Sequence, residues 1–154
     1  NRTMALRGAL LREKEHYDYI LIDCPPSLGL ITVNALAASD TILIPLQCEY
    51  YALEGVSQLI NTVRTVKRMY NDQLDIEGVL LTMFDSRLNL TVQVVDEVKK
   101  HFAGKIFSTV IPRAVRISEA PSFGQPIMYY DRASKGAEAY INLAKELVKN
   151  NRKR

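Results

Sequence analysis

The chain has 154 residues, 47% hydrophobic and 24% charged, a composition that suits one globular domain and excludes a disordered or low-complexity chain. Its 20 basic and 17 acidic residues leave a net charge of +3, and its two cysteines, Cys24 and Cys48, lack metal-ligand spacing, which excludes a disulfide framework and suits a reducing compartment. No apolar run reaches the roughly 18 residues of a membrane span, and the N-terminus carries Arg2 and Arg7 in place of the apolar block of a signal peptide.

Residues 2–15 read as a helix, with Leu6, Leu10 and Leu11 at helical spacing. Residues 17–23 read as a buried strand ending in Asp23 and stopped by Pro25 and Pro26. A short buried helix is expected over 29–38 and a second buried strand over 41–46. Residues 52–70 predict an amphipathic helix whose apolar side holds Leu53, Val56, Leu59, Ile60, Val63, Val66 and Met69. A third strand over 76–83 leads into a polar loop, 84–90, and a helix over 91–102. A fourth strand over 105–111 stops at Pro112, residues 113–128 read as irregular with one helical turn near 118–120, and a last helix covers 133–149. Alternating strands and helices predict an α/β fold, a parallel sheet with crossover helices, in a single domain over 1–154.

Charge is unevenly spread. Residues 1–86 carry 7 basic and 11 acidic side chains, and residues 87–154 carry 13 and 6. A basic C-terminal half fits a polyanion partner, or simply a solvated surface with a basic tail.

In parallel sheets ligands gather beyond the carboxyl ends of strands. Asp23 stands at such an end, where a carboxylate needs a cationic or hydrogen-bonding partner such as hydrated Mg²⁺; the competing reading is a helix cap. Pro25, Pro26, Ser27 and Gly29 then make a stiff exit with a glycine pivot, suited to a loop that reports on a ligand or to an ordinary turn. His16 and His101 read as surface residues, Cys24 and Cys48 as core, and the pairs Tyr50-Tyr51 and Tyr129-Tyr130 as packing groups.

The run 18–29, Asp-Tyr-Ile-Leu-Ile-Asp-Cys-Pro-Pro-Ser-Leu-Gly, closely resembles the Walker B and switch II segment of the ParA/Soj family of chromosome and plasmid partitioning ATPases. The resemblance continues in order through 44–55, 81–87, 110–122 and 136–140. It implies a P-loop NTPase fold of the deviant Walker A type, ATP and Mg²⁺ as cofactors, and a homodimer in the ATP state. It implies non-specific double-stranded DNA and a ParB/Spo0J-type protein as partners, no membrane, and a cytoplasmic, nucleoid-associated protein. Residue by residue, Asp23 takes the Walker B role and holds Mg²⁺ through water, and Pro25 to Gly29 form switch II. Met83, Phe84, Pro112, Arg113 and Val115 match the adenine-facing positions. Arg87 and Arg116 match DNA-contacting arginines, with Arg132, Lys135, Lys145 and Lys149 as further candidates for that surface.

A phosphate loop requires Gly-x-x-x-x-Gly-Lys-Ser/Thr or its deviant form. The glycines, at 8, 29, 55, 78, 104, 124 and 136, are too dispersed to build one. Because the sequence opens on Asn1, it reads as a processed protein or a piece of a longer one. The chain alone is therefore expected to lack ATPase activity and to bind no cofactor by itself. In the family's fold the strand leading into the phosphate loop lies between the strand of Asp23 and that of 41–46, so its lack leaves two facing rows of backbone groups unpaired, with three expected outcomes: the missing part is present but not shown, the sheet closes up with altered order, or another chain fills the gap. The alternatives are a non-enzymatic DNA-binding or dimerisation module and a relative of the Min-type cell-division ATPases, which the basic end of the last helix disfavours. A receiver-like phospho-acceptor role for Asp23 lacks its acidic pair and lysine.

Overall fold

The computed structural model describes residues 2–25, 27–49 and 51–152. Its elements are α1 (Ala5–Leu10), α2 (Leu30–Ala38), β1 (Thr41–Gln47), α3 (Ala52–Met69), β2 (Asp75–Thr82), α4 (Asn89–His101), α5 (Val115–Glu119), α6 (Ile127–Tyr130) and α7 (Lys135–Asn151), with short 3-10 turns at Arg2–Met4, Glu13–Glu15 and Ala120–Phe123. The residues group into two compact units, Asn1–Ile42 with Glu54–Glu77, and Leu43–Leu53 with Gly78–Arg154. β1 and β2 pair as a parallel sheet.

In the first unit α2 and α3 supply the core. Leu36 and Ala37 pack with Val63, Val66 and Leu74, flanked by Met4, Val33, Ile42, Leu59 and Tyr70. The apolar stripe of α3 holds at Val56, Val63 and Val66, but Met69, at the helix end, is exposed. Asp75 N–H donates to Asp40 C=O (3.2 Å), which starts the parallel ladder.

The buried strand expected over 17–23 does not form. Residues 17–25 run without regular secondary structure, and Leu21 is 84% exposed beside exposed Tyr17 and Tyr19. An extended segment becomes a strand only when a neighbour takes its backbone hydrogen bonds, and no strand among the described residues does so. The second edge of β1 is likewise without a ladder among them. Pro45, which has no N–H to donate, is tolerated in β1 on such an edge.

In the second unit Leu80 of β2 packs with Phe107 and Ile111, ringed by Leu43, Ile117, Ala139, Tyr140, Leu143 and Leu147. Gly78 is required here by close approach: a Cβ would stand 2.7 Å from Cε2 of Phe107. Cys48 N–H donates to Thr82 C=O (3.1 Å), continuing the parallel pairing.

The fourth strand, expected over 105–111, is present only in part. Two parallel bridges, Val79 with Ile106 and Phe84 with Pro112, flank a break. Ser108 and Thr109 in the break turn their N–H groups onto the Glu146 carboxylate of α7, at 2.6 and 2.9 Å. The expected helical turn near 118–120 falls within α5 and the 3-10 turn after it, and α6 adds a further turn in the stretch read as irregular. The tyrosines split: Tyr130 is half-buried, whereas Tyr51 and Tyr129 are largely exposed; Tyr50 lies outside the described residues.

Candidate functional site

The first unit holds Asp23 and the segment after it. Asp23 is exposed, so it carries no burial cost of its own, and it does not cap α2, whose N-cap is Gly29. Burial, with the Asp23 charge adding to it, pushes the neighbouring Cys24 thiol up. Ser27 N–H donates to Pro25 C=O (2.7 Å), a tight turn. The Thr32 hydroxyl, buried in α2, donates to Ser27 C=O, so the turn is tied to the helix that follows. Pro26 lies outside the described residues. Gly29, expected as a pivot with an unusual angle, has φ −82°, and a Cβ there would meet nothing closer than 3.9 Å. Extended backbone at a helix start needs no left-handed residue, so the glycine is not demanded by this conformation.

The second unit brings another set together at the carboxyl end of β2. Met83 has φ +52°, the left-handed region, which costs a residue with a side chain of order 1 kcal/mol. The kink re-aims the chain: Phe84 N–H donates to Ile111 C=O (3.0 Å), and Arg113 N–H donates to Phe84 C=O (3.1 Å). Met83, Phe84, Pro112 and Arg113 are thus held side by side by backbone bonds. The Arg113 guanidinium pairs with Glu49 at 3.0 Å. Val115 opens α5 and is 73% exposed.

Arg87 and Asp85 leave the same strand end as a fork, with Nε to Oδ1 at 2.9 Å and Nη2 to Oδ2 at 2.7 Å. Those bonds and the Arg87 backbone N–H on Oδ1 hold the Asp85 carboxyl at about 2, with Arg113 adding to the field. Arg116 of α5 sits 5.8 Å over the ring of Tyr130, 3.4 Å from the Tyr130 hydroxyl and from Glu119, and 3.5 Å from Asp131. Tyr130, then Glu119 and Asp131, raise its already high pKa. Arg132, Lys135, Lys145 and Lys149 are exposed, Arg132 just before α7 and the lysines on it.

The carboxylates that hold these arginines went unnoticed in the sequence. Asp85, two residues before Arg87, matches an Asx-turn pattern, and Glu119, three after Arg116, is a helical pair. Glu49 and Asp131 reach their partners through the fold alone.

Exposed Asp23 offers one carboxylate, the kind of group that suits a hydrated Mg²⁺. The sequence has no glycine-rich phosphate loop. Among the described residues no three His, Cys, Asp or Glu side chains gather as a metal site. Charge follows the units: the second carries 13 basic and eight acidic residues, +5, and the first seven and nine, −2. Among the described residues no helix is long and apolar enough to cross a membrane.

Comparison with known proteins bears on these features. A family model described as an AAA domain matches residues 1–76. The sporulation initiation inhibitor protein Soj of Bacillus subtilis is 62% identical over 97% of this chain and 59% of its own length. The chromosome partitioning protein ParA of Myxococcus xanthus is 59% identical over 97% of the chain and 53% of its own. The chain thus spans a little over half the length of these curated relatives. Among solved structures, cobyrinic acid a,c-diamide synthase from Mycobacterium smegmatis, with bound ADP and magnesium, matches with a TM-score of 0.80 and 34% identity over 99% of this chain and 55% of that one. The cell division ATPase MinD of Pyrococcus furiosus matches with a TM-score of 0.76 and 26% identity over 96% and 58%.

Proposed function

Because the chain is similar over nearly its whole length to the Soj and ParA chromosome partitioning ATPases, we propose that it is the part of such an ATPase that carries the Walker B acid, the base-facing loops and a basic DNA-facing surface. The observation that carries the reading is the 62% identity to Soj over 97% of the chain.

In the whole protein Mg-ATP drives dimerisation, and the dimer binds duplex DNA without regard to sequence until a ParB-type partner stimulates hydrolysis. This chain's contribution is positional. The backbone bonds between Phe84 and Arg113 hold two base-facing loops in register, and Asp23 faces solvent at the head of a turn tied to α2. Arg87 and Arg116 present exposed guanidinium groups in the unit of net charge +5. Guanidinium forks suit phosphate oxygens, which carry affinity but no sequence information. This chain's share of the Mg²⁺ site is the Walker B acid Asp23, since no glycine-rich phosphate loop lies within these 154 residues.

The test is duplex binding by the full-length protein with ATP and Mg²⁺, on two unrelated sequences, as salt is raised. Affinity is expected to fall linearly in log–log form on both, because phosphate contacts release counterions. Arg87→Glu and Arg116→Glu should each weaken both duplexes alike. Affinity indifferent to salt, or a loss confined to one duplex, would sink the reading.

A second reading, a DNA-binding or dimerisation module that works without ATP, is favoured by the dispersed glycines. It requires that this chain alone bind duplexes equally with and without nucleotide. A Min-type role is less favoured, since Leu143 and Leu147 of α7 are packed into the core instead of forming a membrane-facing stripe.

A further inference from the structure

The Arg87–Asp85 pair is asymmetric. The Asp85 side chain is 15% exposed and that of Arg87 86%, so the carboxylate lies beneath a guanidinium that faces solvent. Oδ1 accepts both Nε–H (2.9 Å) and the Arg87 backbone N–H (3.1 Å), and Oδ2 accepts Nη2–H (2.7 Å). One carboxylate therefore fixes the turn that carries Arg87 and the plane of its guanidinium. We infer that Asp85 is the positioning residue for Arg87, holding the guanidinium with its outer N–H edge presented to the phosphate backbone of a nucleic-acid duplex. The inference rests on the reading that Arg87 contacts duplex DNA.

Two effects oppose each other. A carboxylate near the surface repels phosphate. An unrestrained exposed arginine, in turn, loses most of its rotamer freedom when it binds. The fork uses two of the five guanidinium donors and leaves three for a ligand, with the side chain already ordered. The repulsion acts across the guanidinium, whose positive charge lies between carboxylate and phosphate and offsets it. Positioning outweighs repulsion. The Asp85 carboxyl is held at about 2 by the Arg87 bonds, so it stays ionised throughout the neutral range.

The two effects predict opposite signs for Asp85→Asn in the full-length protein. The variant gains a unit of positive charge, so charge counting expects tighter duplex binding. Asparagine keeps an acceptor for the backbone N–H but cannot make the ionic fork, so positioning expects affinity to fall at least about threefold. Arg87→Lys, which retains the charge without the fork, should fall likewise. On an Arg87→Ala background Asp85→Asn should cause no further loss. Duplex binding by Asp85→Asn or Arg87→Lys as tight as the parent's, alongside weakened Arg87→Ala, overturns the positioning role and leaves the DNA reading standing. Unchanged binding by Arg87→Ala overturns both.

Discussion

Asn71 shows how one side chain can close a helix. Its amide donates to Leu36 C=O (3.1 Å) and Ser39 C=O (2.7 Å), and the Ser39 hydroxyl donates to Ala35 C=O (2.7 Å). These carbonyls lie at or next to the end of α2, where no further helical turn supplies donors. Asn71 is 8% exposed, so removing its amide leaves buried acceptors without partners. Asn71→Ala should destabilise the chain by about 1–3 kcal/mol in urea unfolding; an unchanged midpoint would show that water takes over. Nothing local in the sequence distinguishes Asn71 from a loop residue, because its partners lie more than thirty positions earlier. The same holds for Glu49 and Arg113, 64 positions apart. Asp85 and Arg87, only two positions apart, carry a local turn signal that Glu49 and Arg113 lack.

At the scale of elements, the break beside β2 depends on Glu146. Burial raises its pKa, but the bonds from the Thr109 hydroxyl and the Ser108 and Thr109 N–H groups outweigh burial and leave it below the ordinary value. A depressed folded pKa stabilises the fold fully above the ordinary carboxylate range, and that contribution is lost as pH falls through the folded value. Glu146→Gln should therefore cost about 1–3 kcal/mol near neutral pH, with the gap to the parent narrowing as acidification passes from the ordinary carboxylate range through the lowered folded value. Chemical unfolding across that range checks it; a gap independent of pH would mean that the carboxylate charge is not what closes the break. The long helices α3 and α7 were legible because apolar spacing is local, whereas the helix expected over 2–15 forms only as α1, Ala5–Leu10, between two 3-10 turns. The strand over 105–111 was legible as an apolar run but not as an interrupted one, because the interruption is made by a helix that comes later in the chain. The apolar run over 17–23 and the prolines after it predict a strand, whereas its formation depends on a pairing neighbour.

For the whole molecule, the decisive feature is a sequence similar to partitioning ATPases that has no phosphate loop within its 154 residues. A titration of this chain with a fluorescent ATP analogue and Mg²⁺ should show no saturable binding, while its circular dichroism remains that of a folded protein. Saturable binding in the micromolar range would mean that the described loops make a phosphate site without glycines, and the account of Asp23 and the base-facing positions would have to change. By itself the sequence determined the long helices, the strands at β1 and β2, the motif order and the basic second half, because periodicity, spacing and charge are local properties of a chain. Tertiary structure decided which apolar runs became strands, which carboxylates hold Arg87, Arg113 and Arg116, and where Met83 turns through a left-handed conformation. Those outcomes depend on hydrogen-bond partners and packing neighbours that only folding brings within reach.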